Sequence, residues 1–472
     1  SYPPTMAAIM CNYKKTVKSV LEVDTDDAPC ACRLIKMEPY IDHDIGHVCT
    51  GDMSVVGNMM IQDLLEKGAK FRLNPTQGNG NMYDFITILK KVLSKYVESQ
   101  LGHKEAANEW IDMIATKMEE KAHQYRLKCF GINPDGRPNG IPSDILEMPE
   151  IKRTLRWLRH YFVCTLADKA SSNFVIVCKR AYLMIVLKEL RQSMAYEIIE
   201  DKVENDVVQE HLRMNSEMHT YVHQKEKQLP VLAYTVKLHK NPISTRFIAF
   251  SGQTTLTALS SEVGYVLSAI LDVLKIVAHD EMMELGASWF FLIKDSAEVP
   301  VLLKMAAKLN EDCSDQQSIC AYDIKNMYTS IEHEDLLEKI GEMIELAWQS
   351  KRNQGVFKVE GKEAHWVNER VNEENCPARI YNKAKLIKAI KFIVENSYVL
   401  AVGNLYRQTT GIPMGTNSSP WLANLYLMAY ERKCIRSFCE DGENEKAQAL
   451  ARTARFLDDL LGIKNPDMEE ML

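Results

Sequence analysis

Apolar residues recur with a helical period of about 3.6 in several stretches of the chain, and each stretch is predicted to form an amphipathic helix. These stretches are residues 105–121, 182–196, 332–348, 383–399 and 419–432. Short apolar runs instead predict strands at 174–178 and 318–322, a strand pair at 231–250, and a charged hairpin at 355–367 that turns at Glu360-Gly361. Because the two patterns are interleaved, we expect an α+β fold.

Two aspartates, Asp458 and Asp459, stand side by side between two apolar runs in residues 455–463. The flanking runs predict two short buried strands, so the acid pair is expected at the tip of a tight hairpin. Adjacent carboxylates on a buried frame repel each other unless a cation joins them, which favours a metal site. The alternative is an ordinary surface turn, in which aspartate is common.

A third carboxylate, Asp323, ends the predicted strand at 318–322 and precedes a turn and a helix. A strand that ends in aspartate holds that carboxylate rigidly at the edge of a sheet. If it lies near Asp458 and Asp459, three carboxylates could bind two Mg²⁺ ions, since Mg²⁺ takes a few carboxylates and completes its shell with water and phosphate. The alternative is a helix cap, for which aspartate is also favoured.

The segment 408–420 lies between these acids and contains two glycines, Gly411 and Gly415, among small polar residues. Glycine lets a backbone approach a ligand closely, and the following helix N-terminus offers free N–H groups to phosphate or sugar oxygens. Without the other motifs, this segment would be an ordinary loop and helix cap.

Composition restricts the class of protein. The chain has 472 residues, 46% hydrophobic and 26% charged, which is ordinary for a globular protein with two or three domains. We find no apolar run long enough for a membrane helix and no secretory signal, so no membrane partner is expected. The net charge of −7 alone argues against a nucleic-acid binder. Basic residues nevertheless cluster near 152–160 and 237–246.

The twelve cysteines are scattered along the chain, which indicates reduced thiols in an intracellular compartment. One group is an exception, because Cys30, Cys32, His47 and Cys49 have the residue types that bind zinc. The sequence therefore predicts a zinc site at these four residues. Buried free cysteines are the alternative, since the spacing is irregular.

In their order along the chain, these motifs resemble the motif series of reverse transcriptases. Residues 323–328 resemble the first palm motif, 408–425 the second and 456–459 the third. Residues 168–179 and 237–248 resemble early motifs of the fingers. The sequences at 46–52, 411–417 and 422–427 are similar to Penelope-like retroelement enzymes, which are related to telomerase. The resemblance covers the chain from about residue 30 to its end.

The resemblance implies a role for each matching residue. Asp323, Asp458 and Asp459 would bind two Mg²⁺ ions and act as the catalytic residues. Lys237 and Arg246 would neutralise the triphosphate of the incoming nucleotide. The remaining residues implied to bind substrate are Tyr328, Gln408, Met414, Gly415 and Leu457.

Three of these residues have a specific place in the family pattern. Tyr328 falls where a bulky side chain lies beneath the sugar and excludes the 2′-hydroxyl, although without the motif it would be an ordinary core tyrosine. Gly415 and its neighbours would lie against the templating pair, and Leu457 would touch the primer end. Phe456 replaces the tyrosine of many related enzymes, and Met414 replaces a glutamine but is usual in the Penelope-like branch.

The implied fold is an α+β right-hand polymerase. It has a mainly helical N-terminal extension at 1–150, fingers at 151–318, and at 319–472 a palm with an antiparallel sheet flanked by helices. The later palm motifs, the thumb and any C-terminal nuclease are expected to be missing from this chain. A second polypeptide could supply the thumb or nuclease.

The implied activity is RNA-directed DNA synthesis. Its partners would be an RNA template, a DNA primer and dNTPs, and its cofactors two Mg²⁺ ions, with zinc at the cysteine group. The life cycle of retroelements implies a nuclear protein with a cytoplasmic stage. One alternative is a domesticated enzyme kept as a structural or RNA-binding subunit. Another is an RNA-dependent RNA polymerase, against which Tyr328 argues.

Overall fold

The structure is a computed structural model that describes part of the chain. The described residues are 5–10, 27–32, 41–42, 46–73, 87–95, 104–130, 143–308, 319–325, 327–368, 378–412, 416–463 and 465. Among the helices in these ranges, none is both long enough and apolar enough to cross a membrane.

The strands are numbered in chain order. They are β1 (Ile41–Asp42), β2 (His47–Thr50), β3 (Phe162–Ala167), β4 (Ala170–Cys178), β5 (Tyr196–Ile199), β6 (Leu232–Lys237), β7 (Ser244–Ala249), β8 (Ile319–Asp323), β9 (Val356–Glu360), β10 (Glu363–Val367), β11 (Ile380–Tyr381), β12 (Tyr398–Ala401), β13 (Asn404–Gln408), β14 (Thr453–Phe456) and β15 (Asp459–Ile463).

The helices are numbered in the same way. They are α1 (Met6–Met10), α2 (Met59–Glu66), α3 (Lys104–Phe130), α4 (Pro149–Tyr161), α5 (Lys179–Gln192), α6 (Glu204–Glu217), α7 (Thr257–Leu285), α8 (Val299–Lys308), α9 (Met327–Ser330), α10 (His333–Ser350), α11 (Lys383–Glu395), α12 (Ser419–Glu440) and α13 (Asn444–Leu450). Residues 87–95 are also helical.

The chain forms two compact units. The first contains Ser1–Val17, Thr25–Tyr182 and Thr235–Arg246, and the second contains Lys18–Asp24, Leu183–Tyr234 and Phe247–Leu472. These boundaries divide the chain differently from the segments expected at 1–150, 151–318 and 319–472. The hairpin around residue 240 belongs to the first unit, because the units are defined by tertiary contacts and not by order along the chain.

The strands of the first unit belong to a six-stranded sheet in the order β1-β2-β4-β3-β6-β7, to which the unit contributes residues 235–237 of β6 and 244–246 of β7. Strand β4 pairs with β3 and β2 in antiparallel fashion, and β3 pairs with β6 in parallel. The C-terminal half of β4, from Phe174, is buried, as expected for a strand covered on both faces. The N-terminal part of the chain therefore contributes strands as well as helices.

The second unit packs around α7, a 29-residue helix with twelve buried residues. A helix with so many apolar positions is stable only when other elements surround it. Helices α10, α11 and α12 pack against it around one hydrophobic core. The antiparallel sheet β14-β15-β8 carries the predicted acids. The unit thus has a mixed α/β architecture in which sheets are flanked by helices.

Most predicted elements are present, with changes at their ends. The predicted helix at 383–399 ends at Glu395, and Tyr398 already begins strand β12. The charged hairpin is present, but its register pairs Glu360 with Glu363, so the turn is Gly361-Lys362 and not Glu360-Gly361. Gly361 has a φ of 61°, which suits glycine in a hairpin turn.

Candidate active site

The acidic hairpin is formed by β14 and β15. Phe456 pairs with Asp459, which leaves Leu457 and Asp458 as a two-residue turn. Leu457 has a φ of 55°, in the left-handed region that tight hairpin turns require. The hairpin is present as expected, but only Asp458 lies at its tip, because Asp459 is already the first residue of the returning strand.

Strand β8 brings the third acid to this hairpin. It runs antiparallel to β15, and the register places Asp323 directly opposite Asp459. The backbone N–H of Ile324 donates to the carbonyl of Asp458 at 2.9 Å, which fixes the turn beside the end of β8. Asp323 and Asp459 are exposed and Asp458 is half-buried. Residues 135 positions or more apart in sequence thus meet at one end of a sheet.

In the part of the chain that the structure describes, these three side chains carry no neutralising partner. Within the described residues, neither an ion pair nor a hydrogen bond is found for the carboxylates of Asp323, Asp458 or Asp459. Their carboxylate oxygens are not all close enough to one another to form a preassembled metal-binding group. It is the pairing of the strands that brings the three residues to the same end of the sheet. Three carboxylates without a cationic partner among the described residues, two of them exposed, fit Mg²⁺, a hard cation that takes few protein ligands and keeps water.

Tyr328 lies close to this acidic end. It belongs to the four-residue helix α9 and is half-buried. Burial raises the pKa of Tyr328 to about 12, and the negative charge of Asp458 adds to the effect. The phenol is consequently neutral at physiological pH. The structure therefore brings the candidate sugar-contacting ring within electrostatic reach of the acidic hairpin.

The glycine loop packs directly on the turn that carries Tyr328. Gly411 has a φ of 84°, and a Cβ added there would lie 2.3 Å from the carbonyl oxygen of Tyr328. The N–H of Ile412 donates to the same oxygen at 2.9 Å. Only glycine permits this close backbone approach. The loop therefore fixes the position of Tyr328, a function that the motif alone did not indicate.

Of the other residues expected to bind substrate, the structure describes Gln408 and Leu457. Gln408 is buried, and its side-chain amide donates to the carbonyl of Thr410 at 2.9 Å, so it shapes the loop. Met414 and Gly415 lie outside the described residues. Leu457 lines a cavity of about 410 Å³ whose wall also contains Lys275, Trp421 and Asn424. This cavity lies next to the tip that carries Asp458.

The acidic hairpin is held in place by Arg455, a residue that the sequence motifs did not indicate. Arg455 is buried, forms an ion pair with Glu431, and donates to Asn424 Oδ1 at 2.8 Å and to the carbonyl of Leu457 at 3.2 Å. Burial raises the pKa of Glu431, and the Arg455 charge opposes that rise. The sequence gave little indication of this role, because the partners of Arg455, Glu431 and Asn424, precede it by 24 and 31 residues.

Lys237 and Arg246, expected to bind the triphosphate, both lie in the first unit. Lys237 ends β6 and Arg246 lies within β7, so one hairpin carries both cations. Arg246 forms an ion pair with Asp168 at 3.3 Å, and among the described residues Asp168 Oδ2 has no hydrogen-bond partner. The Asp168 carboxylate orients the guanidinium, which is itself partly exposed.

The expected zinc ligands are brought together in part. Cys30, Cys32 and His47 lie in one cluster, but its fourth member is Cys178 and not Cys49. Cys49 is two residues beyond His47 on β2, and it lies opposite Val177 of β4. That separation is about 7 Å along a strand. The long-range pairing of β2 and β4 could not be read from the local cysteine spacing.

No protein-family model matches the sequence, and no curated protein matches it. Among solved structures, the chain is similar to apo telomerase from Candida tropicalis truncated from its C-terminal domain. The TM-score is 0.45 at 13% identity, with 100% of this chain and 74% of that chain covered. The chain is also similar to telomerase from the same organism in complex with a TWJ fragment of telomeric RNA. There the TM-score is 0.49 at 13% identity, over 99% of this chain and 64% of that chain.

A third similar structure is telomerase from Candida albicans in complex with a TWJ fragment of telomeric RNA. The TM-score is 0.44 at 13% identity, and the match covers 71% of this chain and 51% of that chain. The chain therefore spans less than two thirds of both RNA-bound proteins. Because these TM-scores lie below 0.5, the assignment of a function rests on the chain's own residues.

Proposed function

We propose that this chain is an RNA-directed DNA polymerase that extends a primer 3′-hydroxyl with deoxynucleotides on an RNA template. One observation carries the proposal: the β8–β15 register places Asp323 opposite Asp459 and beside Asp458, with no neutralising partner among the described residues. The order of the motifs, which resembles that of Penelope-like reverse transcriptases, supports the choice of template and product. An RNA template, a DNA primer and dNTPs are the partners that this activity requires.

Asp323, Asp458 and Asp459 would hold two Mg²⁺ ions, which when bound stabilise the attacking and leaving oxygens of an in-line phosphoryl displacement. The three carboxylates supply the negative charge that such a site needs. Their position at the end of a paired sheet gives them a fixed spacing, and the exposure of Asp323 and Asp459 leaves room for a triphosphate.

The remaining residues would orient the substrates. The Tyr328 ring, fixed by the Gly411 loop, would pack beneath the sugar and exclude a 2′-hydroxyl. Lys237 and Arg246 would bind the triphosphate, with Asp168 holding the Arg246 guanidinium in one orientation. An arginine fixed by a carboxylate loses less side-chain freedom when it binds phosphate.

The direct test is primer extension by the purified chain together with any polypeptide that co-purifies with it. Matched RNA and DNA templates, dNTPs or rNTPs, and Mg²⁺ or a chelator are compared in parallel. We expect extension on RNA with dNTPs and Mg²⁺, and none with the chelator. Extension with rNTPs alone would instead indicate an RNA polymerase.

The second candidate function is a domesticated subunit that binds RNA or supports a larger assembly. Retention of all three acids, Lys237 and Arg246 argues for an enzyme. RNA binding without extension, tested with the chain and any polypeptide that co-purifies with it, would favour the subunit and contradict the polymerase.

Changing Tyr328 to Ala is expected to increase ribonucleotide incorporation relative to deoxynucleotide incorporation by at least about tenfold. This ratio corresponds to about 1.4 kcal/mol of lost discrimination. Tyr328→Phe is the matched control, because it keeps the ring and removes only a hydroxyl that is neutral at physiological pH. The measurement is the ratio of kcat/KM for dNTP and rNTP. Unchanged discrimination in Tyr328→Ala would show that the ring has no steric role.

A further inference from the structure

Four metal-binding side chains meet in the first unit, away from the acidic hairpin in sequence. Cys30, Cys32, His47 and Cys178 each offer one ligand atom, and these atoms all lie within 4.8 Å of one another. They come from a short segment, from the start of β2 and from the end of β4. Three cysteines and one histidine form one of the common ligand sets of structural zinc.

The distances match the edges of a zinc tetrahedron. His47 Nδ1 lies 3.5 Å from Cys30 Sγ, 3.4 Å from Cys32 Sγ and 3.7 Å from Cys178 Sγ. With Zn–S near 2.3 Å and Zn–N near 2.0 Å, the N···S edge of a tetrahedron is about 3.5 Å. One imidazole nitrogen that is nearly equidistant from three sulfurs is therefore the arrangement that a single bound zinc ion would require.

The surroundings of the sulfurs also fit a metal site. The N–H of Val48 donates to Cys32 Sγ at 3.4 Å. Hydrogen bonds of this kind orient metal ligands and stabilise thiolates. Cys32 and Cys178 are buried and Cys30 and His47 are half-buried. A closed site with four protein ligands is structural, because no position remains for substrate.

The cluster also explains how residues 27–32 are attached. In the described part of the chain, this segment makes no backbone–backbone hydrogen bond to another segment. Its polar contacts with the rest of the unit include the cysteine cluster and the donation from Arg180, on helix α5, to the carbonyl of Ala28 at 3.3 Å. A metal that joins Cys30 and Cys32 to the ends of β2 and β4 would hold the segment in place.

We propose that Cys30, Cys32, His47 and Cys178 bind one structural Zn²⁺ ion that fastens residues 27–32 to the sheet of the first unit. The sulfurs bind as thiolates, so each cysteine that reaches the metal loses its proton on binding. The site is independent of the polymerase proposal, since none of its ligands belongs to the acidic hairpin.

The test begins with the unmodified, untagged chain, purified without chelators. Elemental analysis is expected to find about one zinc ion per chain, and exchange with Co²⁺ should produce the visible absorption of a tetrahedral thiolate site. Alkylation followed by mass spectrometry should find Cys30, Cys32 and Cys178 protected until zinc is removed. These measurements need no variant, so a folding defect cannot obscure them.

Two variants then decide the ligand set. Cys178→Ala is expected to reduce bound zinc to less than about a tenth, whereas Cys49→Ala, a change of the same size at a cysteine in the same sheet, should keep it. The proposal would be overturned if the chain were purified without zinc and did not bind added Co²⁺. A disulfide between Cys32 and Cys178 would also overturn it. Equal zinc loss in both variants would overturn the ligand assignment.

Discussion

Changing Asp459 to Asn is expected to lower the rate of primer extension by at least about 10³-fold without lowering the thermal stability of the chain. A metal ion contributes several kcal/mol of charge stabilisation, and about 4 kcal/mol corresponds to a factor of 10³. Asparagine keeps the size of the side chain but removes the charge that binds Mg²⁺. Activity should therefore collapse while the fold persists.

The stability should be unchanged or slightly higher for a separate reason. Asp459 lies directly opposite Asp323 on adjacent antiparallel strands. Like charges in such a pair are destabilising, so neutralising one of them relieves repulsion. An aspartate kept for structure would behave in the opposite way, since its removal would lower the melting temperature.

Single-turnover extension and thermal unfolding of the same preparation measure the two effects. Asp280→Asn is the matched control, because this aspartate is 76% exposed and lies on helix α7. The control should keep both activity and stability. Retained activity in Asp459→Asn would contradict the two-metal site, and lost activity together with a lower melting temperature would indicate a structural role.

Changing Arg455 to Met is expected to destabilise the second unit by about 3–5 kcal/mol. The methionine has a similar length, but it leaves the buried Glu431 carboxylate without its cation, and an unpaired buried charge costs about this much. The change also removes the hydrogen bond to the carbonyl of Leu457, so the hairpin that carries Asp458 loses a support. Urea denaturation followed by tryptophan fluorescence measures the loss, since Trp289 is buried in the same unit.

The pH dependence provides a second readout. Burial already raises the pKa of Glu431, and removal of Arg455 should raise it further. A raised pKa in the folded state favours the protonated carboxyl, so the stability of the variant should fall as pH rises above the unfolded value of about 4.3. The difference from the unmodified protein should therefore be smaller at pH 5 than at pH 8.

Two further variants control for this interpretation. Arg436→Met removes an arginine that is 41% exposed and pairs with Glu281, and it should cost less than about 1 kcal/mol. The double variant Arg455→Met with Glu431→Leu removes both charges and should recover most of the stability. A loss in the double variant equal to that in Arg455→Met would show that the effect does not come from the unpaired carboxylate.

The sequence by itself predicted the elements that depend on neighbouring residues. The acidic hairpin, the strand that ends at Asp323 and helix α12 follow from local periodicity and turn chemistry, because these signals involve residues only a few positions apart. Element ends were less well predicted. The helix predicted at 383–399 stops at Glu395 because residues 398–401 pair with β13, and strand pairing is a tertiary contact.

Which distant residues meet depends on tertiary contacts. The β8–β15 register places Asp323 opposite Asp459, the β2–β4 pairing brings Cys178 and not Cys49 to His47, and folding of α12 against β14 pairs Arg455 with Glu431. Sequence can name the kinds of side chain that a site needs. Their partners are fixed by strand register and helix packing, which depend on the burial of the whole core and not on the spacing of residues along the chain.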